Sequence, residues 1–508
     1  MNDSEFRTFR TTEKAGCRLI GEAMEAYGVK HVVLSPGSRN APLIMVFARN
    51  KYFKTYSVID ERSAAFVALG IAEISCEPVA IVCTSGSAIL NYAPALSEAY
   101  YRHLPLIAIS ADRPEEWIDQ NDSQTIRQLQ ALSQVVRGSV CIKGELYNNE
   151  EIEFANRKIN DILQLCVSGV RGPVHINVPL SMPLTNEYND NITRQFHKID
   201  RYDFTDKIPV EAARDLAFQV HGKKLLITGF ISLPDNRLNK AIGTLAALPN
   251  VAVVCEGLSN IHAMNVLNGC DTLFPDSMNE EQLKFLSPDI IISFGGAPVS
   301  AKFKKFLRRC NSAIHWHVGK SDNAIDCFRK LTARIELNPE GFFPRFASSL
   351  AHISRNSEKK GDYAEIWKRY VQSVTVSSGV KKQLPPMQFN AMSAVDYILQ
   401  SMPSNWNIQL GNGMAVRYGL VSDHLCRFHR VDSNRGVSGI DGCLSTAIGA
   451  SCAYSGNTLL IIGDMSTEYD LSAFFSGLIT QKLKIVVLNN GGGGIFHYVN
   501  TTRNLPEL

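Results

Sequence analysis

The sequence lacks the features that would place it in several common protein classes. Its twelve cysteines form no Cys-X-X-Cys pair, so neither a zinc ribbon nor a disulfide framework is predicted, and they indicate thiols in a reducing cytosol. No uncharged apolar run is long enough to span a membrane, and the polar start Met1-Asn-Asp-Ser-Glu-Phe-Arg7 lacks the apolar part of a signal peptide. The net charge of +3 is too small to indicate nucleic acid or an anionic membrane as a partner. We therefore expect a cytoplasmic protein that binds neither.

The 508 residues that are present indicate a globular α/β protein of about three domains, with 45% hydrophobic and 20% charged residues. Short apolar runs typical of buried strands alternate with helical segments, and polar residues repeatedly follow the strands. This pattern predicts three doubly wound domains with mainly parallel sheets. We place them at residues 1–185, 205–350 and 380–508, with polar linkers near 186–205 and 354–361.

The stretch from Gly463 to Phe496 holds the strongest candidate site. Predicted buried strands at 458–462 and 484–488 are followed by Asp464 and Asn490, so both side chains should lie at the sheet edge where open α/β sheets bind ligands. A carboxylate, a carboxamide oxygen and a backbone carbonyl are hard donors that suit Mg²⁺. Each half alone fits an ordinary strand–turn equally well. The pair at this spacing resembles the thiamine diphosphate signature, a Gly-Asp followed later by Asn-Asn.

Polar residues of the first block lie at the same predicted sheet edge. Ser38 and Arg39 follow the strand 31–34, where Arg39 could hold a carboxylate through two hydrogen bonds or be an ordinary solvated loop arginine. Glu61 begins a helix of small residues, so it could cap that helix or act as a partly buried acid beside a cofactor. Arg113 and Gln124 follow the strand 104–110 and could contact a polar substrate.

Glycine turns in the middle and last blocks can be compared with two kinds of binding site, one for dinucleotides and one for diphosphates. The turn at Gly295 and Gly296 leads into a basic helix that begins near Lys302, but the Gly-X-Gly-X-X-Gly fingerprint of dinucleotide binding is absent. The basic helix 302–309 is most simply a solvated face. The glycines that follow predicted strands in the last block suit a diphosphate bound by backbone amides.

Six short motifs together identify a family. They resemble one branch of thiamine diphosphate enzymes, the 2-succinyl-5-enolpyruvyl-6-hydroxy-3-cyclohexene-1-carboxylate synthases of menaquinone biosynthesis, from about residue 10 to the last residue. The motifs are Ser35-Pro-Gly-Ser-Arg39, Asp60-Glu-Arg62, Thr84-Ser-Gly86, Ala111-Asp-Arg-Pro114, Ser433-Asn-Arg-Gly436 and Gly439-Ile-Asp-Gly442. The resemblance implies a thiamine-diphosphate-binding fold, decarboxylation of 2-oxoglutarate and addition of the succinyl unit to isochorismate.

The resemblance also implies a role for each candidate residue. Glu61 would hydrogen-bond the aminopyrimidine ring and promote removal of the reactive proton, and Ile440 would be the apolar wedge beneath the cofactor. Mg²⁺ or Mn²⁺ would be held by Asp464, Asn490 and the carbonyl of Gly492. The substrate carboxylates would be bound by Ser38, Arg39, Arg113, Gln124, Lys302, Arg417 and Arg435. The remaining cofactor contacts would be Gly413, Met465, Ser466, Ile495 and Phe496, the last two as an apolar wall.

The family binds its cofactor between the pyrimidine domain of one subunit and the diphosphate domain of its partner. Residues 1–185 and 380–508 fit these two roles, so we expect at least a homodimer, with dimer and tetramer both open. Gly413 stands where the family usually has serine. Relatives continue through a further segment beyond the position of Leu508, so we expect an exposed domain flank and a looser loop after Phe496. The alternatives are another thiamine diphosphate decarboxylase or carboligase and an inactive, truncated relative.

Overall fold

A computed structural model of the protein describes residues 10–189, 194–275, 278–310, 313–357, 361–377, 389–497, 502 and 504. The chain forms two compact units, which are described separately. The first contains the chain up to Arg201 together with Asn434–Val487, and the second contains Tyr202–Ser433 together with the chain from Leu488 onward. The predicted domain limits at residues 1, 380 and 508 lie outside the described residues, and the three-domain division stays a prediction.

The first unit is built on a six-stranded parallel sheet and a small antiparallel pair. Its strands are β1 (Arg10–Thr12), β2 (His31–Leu34), β3 (Lys54–Ser57), β4 (Val79–Cys83), β5 (Leu106–Asp112), β6 (Ser139–Cys141), β7 (Val174–Pro179) and β8 (Glu187–Asn189). The large sheet has the order β3-β2-β4-β5-β7-β6, with every pair parallel. β1 pairs antiparallel with β8, so this part of the predicted linker near residues 186–205 is a strand.

Helices cover both faces of this large sheet, which makes it a doubly wound sheet. They are α1 (Ala15–Ala26), α2 (Ala41–Arg49), α3 (Glu61–Ser75), α4 (Ala88–Asn91), α5 (Ala93–Arg102) and α6 (Asn149–Val167), with a short 3₁₀ helix at Glu115–Trp117. Successive strand residues point to opposite faces. Val33 and Ile81 therefore belong to one hydrophobic core and Val32 and Ala80 to the other.

The second unit contains another parallel sheet, in the order β11-β10-β9-β12-β13-β14. These strands are β9 (Leu225–Gly229), β10 (Val251–Cys255), β11 (Leu267–Asn268), β12 (Ile290–Phe294), β13 (Ile314–Val318) and β14 (Leu331–Ile335). The helices around it are α7 (Val210–Val220), α8 (Asn236–Ala246), α9 (Glu280–Leu286), α10 (Ala301–Arg309), α11 (Pro339–Arg355) and α12 (Tyr363–Ser377), with 3₁₀ turns at Gly257–Ser259 and Asp271–Leu273.

The same unit continues with α13 (Ala391–Ser401), β15 (Asn407–Leu410), α14 (Met414–Val421) and β16 (Arg430–Asp432), with a 3₁₀ turn at Leu425–Arg427. β15 and β16 are parallel neighbours. The 3₁₀ helix Gly494–His497 also belongs to this unit. The mixed α/β content and the mainly parallel sheets confirm the predicted fold class.

The C-terminal part of the first unit adds α15 (Cys443–Ala453), β17 (Thr458–Gly463), α16 (Asp464–Tyr469), a 3₁₀ helix at Leu471–Ser476 and β18 (Leu483–Leu488). β17 and β18 are neighbouring strands, as their apolar sequences predict. α15 packs against α3 in the first hydrophobic core. Over the described residues, no helix is both long and apolar enough to cross a membrane.

Candidate functional site

The loop after β2 is held in shape by its own side chains. The Asn40 amide donates to the carbonyl of Ser35 at 2.9 Å, and the Asn40 carboxamide oxygen accepts from the N–H of Gly37 at 2.9 Å. Asn40 is fully buried, whereas Ser38 at the tip of the loop is exposed. The loop therefore presents the Ser38 hydroxyl beyond the carboxyl end of β2.

The guanidinium groups of Arg39 and Arg113 lie near each other at this sheet edge. Arg39 is buried, and its Nη1 donates to the carbonyl of Leu180 at 2.9 Å. Burial and the nearby charge of Arg113 lower the pKa of Arg39. Arg113 directly follows β5 and forms an ion pair with Asp122 at 2.9 Å. Two cations at the carboxyl ends of parallel strands favour an anion with more than one acceptor.

Gln124 is fixed by close backbone packing against Gly86. It has a φ of 57°, and a Cβ at Gly86, whose φ is 87°, would lie 3.2 Å from the Gln124 Cα. The N–H of Gly86 donates to Gln128 Oε1 at 2.6 Å. The Gly86 turn and the Gln124 segment therefore form one rigid piece of the same sheet edge.

Glu61 is not the cap of its helix. Asp60 supplies the cap, because its Oδ1 accepts from the N–H groups of Arg62 and Ser63 at 2.9 and 3.3 Å. Glu61 is half-buried at the start of α3, and the Asn91 amide donates to its Oε2 at 3.4 Å. Asp60 therefore caps the helix, which leaves the Glu61 carboxylate available for a ligand.

Asp470 links the start of α3 to α15, and no sequence motif indicated this role. Its carboxylate accepts from the N–H and the Oγ of Ser445 at 2.7 and 2.8 Å, and from Ser63 Oγ at 3.4 Å. Arg62 lies 3.9 Å from it and also donates to the carbonyl of Tyr469 at 2.8 Å. Burial raises the Asp470 pKa to about 6. The sequence signal was a carboxylate directly before the apolar stretch that begins at Leu471.

Arg435 and Ile440 lie on one loop of the first unit. Just before Arg435, the side-chain Nδ2 of Asn434 donates to Thr446 Oγ1 at 3.0 Å. Ser466 Oγ donates to the carbonyl of Ile440 at 2.7 Å, which fixes the backbone beneath a side chain that is 37% exposed. The predicted wedge therefore has a fixed backbone and an accessible side chain.

The predicted metal ligands follow β17 and β18. Asp464 is the first residue of α16, and its Oδ1 accepts from the N–H of Met465 at 2.9 Å. Asn490 lies two residues beyond β18, and a Cβ added at Gly463 or at Gly492 would meet no atom within 4 Å. Over the described residues, no group of three or more His, Cys, Asp or Glu side chains could hold a metal. A metal here would therefore need amide, carbonyl and ligand oxygens beside Asp464.

The second unit holds the other predicted residues. Lys302 is the second residue of α10, and its N–H donates to Asp271 Oδ1 at 3.1 Å. Arg417 on α14 donates to the carbonyl of Gly413 at 2.5 Å, and Gly413 has a φ of 93°. Ile495 and Phe496 lie in the 3₁₀ helix that ends at residue 497, and Phe496 is 38% exposed.

The structure thus divides the predicted residues between the two units. The first unit contains Ser38, Arg39, Glu61, Arg113, Gln124, Arg435, Ile440, Asp464, Met465 and Ser466. The second contains Lys302, Gly413, Arg417, Asn490, Gly492, Ile495 and Phe496. Their roles in binding and catalysis stay predictions.

Comparison with known proteins gives consistent matches over almost the whole chain. The family described as "Thiamine pyrophosphate enzyme, N-terminal TPP binding domain" matches residues 14–131. Proteins from Porphyromonas gingivalis and Flavobacterium psychrophilum are 35% and 39% identical over 501 and 497 residues, which is 98% and 96% of this chain and 86% of each relative. A Cytophaga hutchinsonii protein is 36% identical over 493 residues, 96% of this chain and 86% of its own. All three are named 2-succinyl-5-enolpyruvyl-6-hydroxy-3-cyclohexene-1-carboxylate synthase.

Proposed function

The chain belongs to the family of 2-succinyl-5-enolpyruvyl-6-hydroxy-3-cyclohexene-1-carboxylate synthases, and we propose that it decarboxylates 2-oxoglutarate and adds the succinyl unit to isochorismate. The observation that carries this proposal is the pair of neighbouring guanidinium groups of Arg39 and Arg113 at one sheet edge. Both substrates are dicarboxylates, and a small neutral acceptor would have no use for two such cations. This favours the synthase over a thiamine diphosphate enzyme that acts on neutral acceptors.

Thiamine diphosphate with Mg²⁺ or Mn²⁺ is the cofactor that the residues fit. In this proposal the carboxylate of Asp464, the carboxamide of Asn490 and the carbonyl of Gly492 would provide hard oxygen donors for the metal ion, to which diphosphate oxygens would add. The open space at Gly463 and Gly492 leaves the backbone accessible there. The bound cofactor supplies the electron sink for decarboxylation and for formation of the new carbon–carbon bond.

The side chains of the chain would orient this chemistry. Glu61 would hold a proton against a ring nitrogen of the cofactor, and Ile440 would support the cofactor from its fixed backbone. The remaining cofactor contacts in this proposal are Gly413, Met465, Ser466, Ile495 and Phe496. The substrate carboxylates would be bound by Arg39, Arg113, Lys302, Arg417 and Arg435, with hydrogen bonds from Ser38 and Gln124.

Turnover and cofactor binding test this proposal directly. We expect the wild-type protein to bind thiamine diphosphate only with a divalent cation, by calorimetry, and to convert 2-oxoglutarate and isochorismate to the product. Glu61→Gln should lower kcat by at least about 100-fold, the scale of a lost acid–base group. The control Glu77→Gln lies just beyond the other end of α3 and should leave kcat unchanged. Cofactor binding without turnover would indicate an inactive relative, and turnover with neutral acceptors only would indicate a different carboligase.

We further propose a cytoplasmic homodimer whose active sites lie between subunits, with residues 1–185 as the pyrimidine domain and 380–508 as the diphosphate domain. Support comes from large apolar side chains left exposed after α16, where Phe475 is 87% and Leu471 50% exposed. All twelve cysteines are free thiols, as a reducing compartment requires.

Mixed dimers distinguish this arrangement from a site within one chain. Glu61→Gln and Asp464→Asn subunits, each inactive alone, should regain about a quarter of wild-type activity in an equimolar mixture. About half of the dimers would then be mixed, and one of the two sites in each mixed dimer would be intact. Light scattering should give twice the 56.2 kDa chain mass. Dimers that regain no activity on mixing would place both residues of each site on the same chain.

A further inference from the structure

Glu98 is a buried carboxylate that accepts hydrogen bonds from two consecutive backbone amides. It lies on α5 and is 1% exposed. Its Oε1 accepts from the N–H of Gly436 at 2.7 Å, and its Oε2 accepts from the N–H of Val437 at 2.7 Å. These two bonds, one to each oxygen, compensate for removing the carboxylate from water. The pair of bonds therefore fixes the orientation of the Gly436–Val437 backbone.

The residue at 436 must be glycine for this contact to form. A Cβ at Gly436 would lie 2.6 Å from the backbone oxygen of Glu98. Arg102 also lies beside Glu98, with its Nε 3.9 Å from Glu98 Oε1. The same arginine pairs with Glu73 of α3. Glu73 is as completely buried as Glu98 and shares the same arginine. It is therefore a matched residue for comparison.

Two hydrogen bonds hold the chain on either side of Arg435. On one side, the side-chain Nδ2 of Asn434 donates to Thr446 Oγ1, and on the other, the backbone N–H of Gly436 donates to Glu98. The far end of the loop is held separately, because Ser466 Oγ donates to the carbonyl of Ile440. Removal of the Glu98 contact would thus release the backbone beside Arg435 but leave the backbone of Ile440 attached.

We propose that Glu98 is a positioning residue that aims the Arg435 guanidinium at a substrate carboxylate. This inference rests on the proposed function, in which Arg435 binds one carboxylate of a dicarboxylate substrate. An arginine holds a carboxylate well only when its planar donors are correctly oriented, and a flexible backbone at the Cα would remove that orientation.

Glu98→Gln is the direct test, because glutamine keeps the size of the side chain but offers one acceptor and turns an N–H₂ donor toward one of the two amides. We expect the KM for one dicarboxylate substrate to rise at least about tenfold, while kcat and the dissociation constant of thiamine diphosphate change less than about threefold. Glu73→Gln disturbs the same arginine and should leave that KM within about twofold. Ser466→Ala should instead weaken cofactor binding.

Coupling to Arg435 separates positioning from a general loss of structure. In an Arg435→Ala background, Glu98→Gln should add less than about twofold to KM, because the group that it positions is gone. Hydrogen exchange should show the amides of Gly436 and Val437 protected in the wild type and in Glu73→Gln, but exchanging at least about tenfold faster in Glu98→Gln.

The outcomes distinguish a failure of this inference from a failure of the proposed function. An active wild type in which Glu98→Gln and Glu73→Gln raise KM equally, or in which the effects of Glu98→Gln and Arg435→Ala simply multiply, would overturn the role of Glu98 alone. A wild type that binds thiamine diphosphate and does not turn over the two dicarboxylates would overturn the proposed function, and the inference with it.

Discussion

Gly449 of α15 lies so close to Val67 of α3 that a Cβ at Gly449 would be 1.9 Å from the Val67 carbonyl oxygen. The contact is reciprocal, because a Cβ at Gly70 would lie 2.0 Å from the carbonyl oxygen of Thr446. The two helices therefore touch backbone to backbone. Since Glu61 begins α3 and the loop of Ile440 leads into α15, this contact sets the spacing of these two segments within one chain, and in the proposed dimer the two segments belong to different sites.

Gly449→Ala should separate these helices and destabilise the first unit. Overpacking of this kind typically costs about 1–3 kcal/mol, so we expect a clear drop in the midpoint of thermal unfolding. The matched control is Gly463→Ala, because Gly463 has a φ of −79° and open space around its Cβ position. Equal stability of the two variants would show that α3 and α15 can move apart at no cost.

Asp470 should make stability depend on pH between about 4 and 6. Its pKa is raised to about 6 from an ordinary value of 3.8, because burial disfavours the charged form. The folded protein thus binds this proton more tightly than the unfolded chain does. Ionisation of Asp470 therefore lowers the free energy of unfolding, and this loss grows as the pH rises through this window. Asp470→Asn carries no such cost, so its melting temperature relative to the wild type should increase from pH 4 to pH 6.

Ser445→Ala provides the matched control for Asp470. The hydrogen bond from Ser445 Oγ lowers the Asp470 pKa, so its loss should move the pH-dependent window upward without removing it. A constant difference in melting temperature between Asp470→Asn and the wild type over this range would show that Asp470 keeps its ordinary pKa.

A serine and two histidines should give the second unit the opposite pH dependence. Ser293 Oγ lies 2.7 Å from His315 Nε2 and 2.9 Å from His317 Nδ1. Burial lowers the pKa of both imidazoles to about 4. The unfolded chain binds protons near pH 6.5 and the folded unit does not, so stability that is present above pH 6.5 is lost as the pH falls toward 4.

Replacement of one imidazole should weaken this acid sensitivity. His315→Gln should lose less stability between pH 6.5 and pH 4 than the wild type, as measured by urea unfolding at several pH values. The control is His352→Gln, which changes an exposed histidine on α11. An unchanged pH slope in His315→Gln would exclude a neutral, buried His315 in the folded state.

Gly413→Ser would restore the residue that the family usually has, at a backbone conformation that suits only glycine. Gly413 has a φ of 93°, although its Cβ position is open. Strain of about 1–3 kcal/mol should either lower stability or shift the backbone, and a shift would move the carbonyl to which Arg417 donates. We expect a raised KM for the substrate whose carboxylate Arg417 is proposed to bind.

Gly413→Ala separates backbone strain from the added hydroxyl. Both variants should change KM or stability to a similar extent, because both carry a Cβ at the same φ. If Gly413→Ser improved turnover and Gly413→Ala did not, the hydroxyl would outweigh the strain and this interpretation would be wrong.

Local sequence predicted much of the fold, whereas the position of the site stays a prediction. The strands before Asp464 and Asn490, the basic helix that begins near Lys302 and the helix that begins near Glu61 all form as expected. Apolar runs, glycine turns and polar residues after strands are short-range signals, so they can be recognised in one sequence.

The long-range contacts were not predictable in this way. Glu98 and Gly436 are 338 residues apart in the chain, and nothing near either residue shows that they meet. The same is true of Asp470, whose partners depend on how α15 packs. The apolar stretch that begins at Leu471 forms a 3₁₀ helix that ends at Ser476, because Gly477 has a φ of 69°.

The discontinuous make-up of the first unit has a consequence for synthesis of the protein. α3 buries every residue from Ser63 to Glu73, and much of that burial depends on α15, which is separated from it by most of the chain. At about 5–20 residues per second, the ribosome needs on the order of tens of seconds to supply the missing helix. Until then the apolar side of α3 is uncovered, so the nascent chain is a natural client for chaperones well before it can become an enzyme.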